Sequence, residues 1–139
     1  METEVKVTKK LFDGQSLYVG IDCHKKNWTV TILGEEYEHK TMSQNPDPDI
    51  LASYLRRNFP GASYHAVYEA GFNGFSSCRR LKDLGIDCKV IHAADVPTSH
   101  KEKIQKLDPT DSRKLARLLR GKEYEFIDVP EPALEADRA

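Results

Sequence analysis

Leu17-Tyr18-Val19-Gly20-Ile21-Asp22 and Asn27-Trp28-Thr29-Val30-Thr31-Ile32-Leu33 decide the fold. The first run is short and apolar. The second alternates and is rich in β-branched residues, so both read as strands. Gly34-Glu35 supplies a tight turn, after which Glu36 to Met42 returns as a third, more polar strand. The chain therefore opens with a three-stranded antiparallel meander.

Beyond the meander, helices and strands alternate. Pro46-Asp47-Pro48-Asp49 introduces a helix with an apolar stripe of Ile50, Leu51, Tyr54 and Leu55, stopped by Asn58 to Gly61. Tyr64 to Glu69 is a fourth strand. Asn73 can cap a helix whose inner face is Phe75, Cys78, Leu81 and Leu84, with Gly85 as its left-handed end. Ile86 to Ile91 is a fifth strand. After a polar segment, a last helix runs from Pro109 to about Arg120, with Leu115, Leu118 and Leu119 inward and Gly121 ending it. Strands that alternate with helices pair in parallel and are covered by those helices. The expected class is α/β: a ribonuclease H-like mixed sheet of three antiparallel strands followed by β-α units, with helices on both faces.

The totals exclude several classes. At 139 residues, 39% apolar and 31% charged, the chain suits one soluble domain with a modest core. It has no membrane-length apolar run, and Met1 to Lys10 lacks the apolar centre of a signal peptide, so a cytoplasmic protein is expected. Cys23, Cys78 and Cys88 form an odd set without CxxC; reduced thiols are expected. A zinc site from Cys23, His24, Cys88 and His92 would match no common spacing. The net charge of −1 hides a segregation: Arg79 to Lys122 holds twelve Lys/Arg against six Asp/Glu, and Glu123 to Ala139 holds one Arg against six acids. Residues 1–16 read as a flexible segment, 17–121 as the folded domain and 122–139 as an acidic linker.

Four acids stand at informative places. Asp22 ends the first strand and Glu69 closes the fourth. Asp108 and Asp111 open the last helix three residues apart, on one face. Sites in open sheets gather beyond the carboxyl ends of parallel strands. Clustered carboxylates suit magnesium, which prefers oxygen ligands and lets a substrate phosphate complete its shell. The plainer alternative makes Asp108 an N-cap and Asp111 a dipole-favoured third helical residue.

The words around these acids resemble a family. Tyr18-Val-Gly-Ile-Asp22-Cys-His-Lys25-Lys26, Tyr68-Glu69-Ala-Gly71-Phe-Asn-Gly-Phe75, Ala93-Ala-Asp-Val-Pro97 and Lys106-Leu-Asp108-Pro-Thr-Asp111-Ser-Arg-Lys-Leu-Ala116 resemble, in order, motifs of the DEDD transposases of bridge-RNA-guided bacterial insertion sequences (the IS-one-ten family). The resemblance runs from about Leu17 to Arg120. It implies a ribonuclease H-like fold of the Holliday-junction-resolvase type. It also implies that Asp22, Glu69, Asp108 and Asp111 hold Mg2+ or Mn2+ for DNA strand cleavage and transfer. A structured guide RNA and a dimeric or tetrameric assembly follow from it as well. The family's nucleophilic serine belongs to a further, C-terminal domain; Ser76, Ser77, Ser99 and Ser112 lie in the wrong part of the chain to match it. Ser112 stands where the family often has alanine.

Basic residues complete the reading. Lys25 and Lys26 follow Asp22; Lys101, Lys103 and Lys106 precede the acidic pair; Arg113, Arg117 and Arg120 recur along the last helix. All could hold nucleic-acid phosphates, or simply solvate the surface. Trp28 and Tyr18 read as core rather than base-stacking platforms. Two other functions fit the same fold: a stand-alone nuclease or junction resolvase, and a truncated module that binds nucleic acid without turnover.

Overall fold

A computed structural model describes residues 11–71, 74–92, 111–122 and 127. Five strands form one sheet: β1 (Ser16–Cys23), β2 (Trp28–Leu33), β3 (Glu38–Gln44), β4 (Ser63–Glu69) and β5 (Asp87–Ile91). Their order is β3-β2-β1-β4-β5, which puts β1 in the middle. β1 pairs antiparallel with β2, and β2 antiparallel with β3 across an irregularity at Ile32/Leu33. β4 joins the other side of β1 in parallel, and β5 joins β4 in parallel. This is the ribonuclease H-like arrangement expected from the hairpin words and the alternation after them.

Period-2 alternation sorts each central strand onto two faces. Leu17, Val19 and Ile21 of β1, Trp28, Val30 and Ile32 of β2, Ala66 and Tyr68 of β4, and Cys88 and Val90 of β5 form the larger core. Two helices contribute to it: α1 (Pro48–Asn58), through Leu51, Ala52 and Leu55, and α2 (Ser76–Asp83), through Cys78 and Leu81. The opposite face is covered by α3 (Ser112–Gly121), whose Leu115, Leu118 and Leu119 pack on Val67 and Ile91. Helices thus lie on both faces. Phe12 joins the α1 side by meeting the Phe59 ring edge-on at 5.1 Å.

Several local expectations are corrected. Ile50 is exposed, while Ala52 is buried beside Leu51 and Leu55, so the inward stripe of α1 lies one residue later. α2 begins at Ser76 with Phe75 in the cap position and no side-chain cap bond, rather than at a cap on Asn73; Asn73 itself lies outside the described residues. Gly85 does take a left-handed φ of 88°, and its neighbour Ile86 donates to the Leu81 carbonyl, closing α2 as a Schellman-type end. The cap of α3 is Asp111, not Asp108: its carboxylate accepts from the Lys114 amide at 2.8 Å. That bond satisfies one orphan donor of the first turn, so Asp111 precedes the helix instead of sitting third within it. At the other end Lys122, not Gly121, takes the left-handed position, at φ 54°.

Candidate active site

The face under α3 holds three cross-strand rows. Tyr18, His65 and Asp87 are register partners across β1, β4 and β5. Gly20, Val67 and Lys89 form the next row. Ile21 pairs with Tyr68, so Asp22 and Glu69 take the following step on their strands, and Glu69 pairs in turn with Ile91. Asp22 and Glu69 therefore share a face and a row at the carboxyl ends of two adjacent central strands, which run about 4.8 Å apart.

Gly20 decides where α3 sits over these rows. A Cβ there would lie 2.5 Å from the Ala116 amide nitrogen and would overlap the Ser112 carbonyl. Only a glycine lets the first turn of α3 rest directly on β1. A second tie is polar: Ser112 Oγ meets Thr31 Oγ1 at 2.8 Å, and Thr31 Oγ1 meets Thr41 Oγ1 at 2.9 Å. Both Thr31 and Ser112 are buried. Together these contacts fix the start of α3, just after Asp111, over Gly20 and Thr31. No local sequence pattern marks the Thr31–Ser112 bond, beyond a serine at position 112 where alanine is common.

Asp22 is half-buried, and its Oδ2 accepts a hydrogen bond from the His24 Nε2–H at 3.1 Å, which fixes that ring tautomer or the protonated ring. Asp111 commits Oδ1 to its helix cap. Asp108 lies outside the described residues. Among those described, no group of three or more His, Cys, Asp or Glu side chains is gathered closely enough to hold a metal ion. In donor chemistry Asp22, Glu69 and Asp111 offer hard carboxylate oxygens, the type magnesium takes.

The expected phosphate-binding cations divide. Lys25 and Lys26 are exposed in the β1–β2 turn beside Asp22. Arg113 is paired with Glu38 of β3, Nε to Oε1 at 2.8 Å, and that carboxylate raises the guanidinium pKa further. Arg120 donates to the Gly34 carbonyl at 3.3 Å. Arg117 is exposed on α3. Lys101, Lys103 and Lys106 lie outside the described residues. Trp28 is buried in the larger core and Tyr18 packs against the smaller one.

Comparison with known proteins gives a consistent answer. The chain is 30% identical over 110 residues to the transposase of insertion sequence element IS1533 from Leptospira borgpetersenii, covering 77% of this chain and 32% of that protein. The relatives are transposases. Two putative transposases of Sinorhizobium fredii, y4rJ and y4qE, are each 26% identical, over 75% and 91% of this chain and 29% and 33% of their own lengths. The chain thus spans about a third of the curated relatives it matches. Among solved structures it is similar to the large terminase nuclease of thermophilic phage G20c, at a TM-score of 0.43 and 14% identity over 78% of this chain and 56% of that one. No family model matches. Among the described residues no helix is long and apolar enough to cross a membrane.

Proposed function

We propose that this chain is the catalytic domain of a cytoplasmic DNA transposase of the DEDD type, with Asp22, Glu69, Asp108 and Asp111 as its acidic tetrad. The observation that carries the reading is the shared row of Asp22 and Glu69 on the α3 face. Two acids stand on neighbouring parallel strands and a third caps the covering helix, so three separate elements carry candidate oxygen ligands. The similarity to insertion-sequence transposases supports a DNA substrate.

In this reading the four carboxylates hold Mg2+ or Mn2+ and a phosphodiester approaches over Lys25 and Lys26. When bound, the ions would supply Lewis acidity at the scissile phosphate. The protein's part is positional. β1 and β4 fix two acids relative to each other. Gly20 and Thr31 fix the helix that carries the third. The full reading adds a structured guide RNA and a homodimeric or tetrameric assembly.

A thermal melt with and without magnesium tests the metal site. Metal at tenfold its Kd stabilises the native chain by about 1.4 kcal/mol, several degrees in Tm. Asp22→Ala and Glu69→Ala should abolish that shift and keep the fold. An equal response in wild type and both variants refutes the tetrad. Magnesium-dependent nicking of branched DNA, lost in Asp22→Ala, separates a nuclease centre from a module that only binds.

A further inference from the structure

The row at the other end of the α3 face has no part in the acidic site. Tyr18, His65 and Asp87 are strict register partners on β1, β4 and β5. Their side chains line a cavity of about 630 Å³, closed on one side by Leu119 of α3. That volume is in the range of small-molecule and cofactor sites. Tyr18 and His65 stack with centroids 5.5 Å apart and planes 20° from parallel. His65 Nδ1 meets Asp87 Oδ2 at 3.0 Å. The His65 side chain keeps 30% of its surface exposed and Asp87 keeps 47%. Lys89, two residues along β5 on the same face, and Lys122, just past the end of α3, bring two cations to the rim. Both belong to the basic stretch between Arg79 and Lys122.

We propose that this cavity binds one unpaired nucleotide of a single-stranded nucleic acid. A stacked ring pair offers a π surface that every base can extend, and single-strand binders gain most of their affinity from such stacking combined with backbone cations. Lys89 and Lys122 attract the flanking phosphates. The second carboxylate oxygen of Asp87 can accept from an exocyclic amine of the base. A duplex cannot use the site, because its bases are already stacked and paired. Tyr18 lies four residues before Asp22 on β1, roughly 13 Å along the strand. The pocket is therefore a separate foothold on the same face, for a strand held near the acidic row rather than cut in the pocket.

The test is fluorescence anisotropy with labelled single-stranded decanucleotides at low salt in EDTA, on the full chain. EDTA and an Asp22→Ala background remove the metal site, so the failure of either proposal leaves the other intact. A decanucleotide of abasic residues carries the same charge without bases. The wild type should prefer the base-bearing strand by about tenfold. His65→Ala should erase that preference, and His65→Phe, which keeps a ring to stack on, should restore it; a damaged fold would not be rescued in this way. Lys122→Gly should weaken both strands alike without loss of stability, since glycine suits the left-handed position. Ribose and deoxyribose strands run in parallel identify the natural ligand. Equal binding of base-bearing and abasic strands by the wild type overturns the proposal. So does a preference that His65→Ala leaves unchanged.

Discussion

Gly20 and Ser112 meet backbone to backbone: a Cβ added to Gly20 would overlap the Ser112 carbonyl oxygen and lie 2.5 Å from the Ala116 amide nitrogen. Neither neighbour is the movable end of a flexible side chain. Gly20→Ala should therefore cost roughly 1–3 kcal/mol or more, the range for overpacking a well-filled interface. Urea unfolding of wild type and variant measures it. A change within 0.5 kcal/mol, about the scatter of neutral surface substitutions, would mean that α3 does not rest on β1 as described.

The polar tie beside that contact gives a cleaner energetic test. Thr31→Val removes the hydroxyl between Ser112 and Thr41 and leaves the buried Ser112 Oγ without its Thr31 partner, at a cost of about 1–3 kcal/mol. Adding Ser112→Ala should recover part of that loss, because the stranded hydroxyl goes too. A double-mutant cycle reads the coupling directly. Strict additivity would show that the two hydroxyls act independently.

Much of this architecture was legible in the residues. The alternation from Trp28 to Leu33 and the turn words around it imply the antiparallel meander, and the helix–strand alternation after Gln44 implies parallel pairing through β4 and β5. The end of α2 was legible because Gly85 is the residue that a left-handed position selects. The start of α3 was not. Asp108 and Asp111 are both good caps three residues apart, and local chemistry cannot choose between them. The end of α3 at Gly121 was legible, but not that the left-handed cap falls on Lys122, since nothing local marks a lysine for that conformation. Least visible was the row of Tyr18, His65 and Asp87. The register of parallel strands is set by the packing of the crossovers, so no local pattern relates those three positions. The same holds for the step that aligns Asp22 with Glu69; their strand ends could be read from sequence, but their alignment could not.

The ion pair that links α1 to α2 should shape the acid limb of stability. Arg80 Nη2 lies 2.6 Å from Asp49 Oδ1, and this hydrogen bond is the main reason that the Asp49 carboxyl falls below its ordinary value of 3.8. A carboxyl with a lowered folded-state pKa binds fewer protons in the native chain than in the unfolded one. Its contribution is therefore present above about pH 3.8 and fades as pH falls through the lower folded value. Asp49→Asn should lose that dependence, so the two stability curves should converge on acidification. Parallel curves across the acid limb would assign the pair no role, as holds for many exposed ion pairs.

Asp111 combines two tasks that a pair of substitutions can separate. As the N-cap of α3 it accepts from the Lys114 amide, a structural role in which Asn serves about as well as Asp. As a proposed metal ligand it needs its negative charge, which Asn lacks. Asp111→Ala should therefore destabilise the metal-free chain by about 1 kcal/mol through the lost cap. Asp111→Asn should stay close to wild type in EDTA. If Asp111 belongs to the acidic tetrad, both variants should lose the magnesium-induced rise in Tm that Asp22→Ala also loses. Melting curves in EDTA and in millimolar magnesium give all four values. A full magnesium response in Asp111→Asn would leave Asp111 as a helix cap alone, and the tetrad would then lack the member that α3 is seated to deliver.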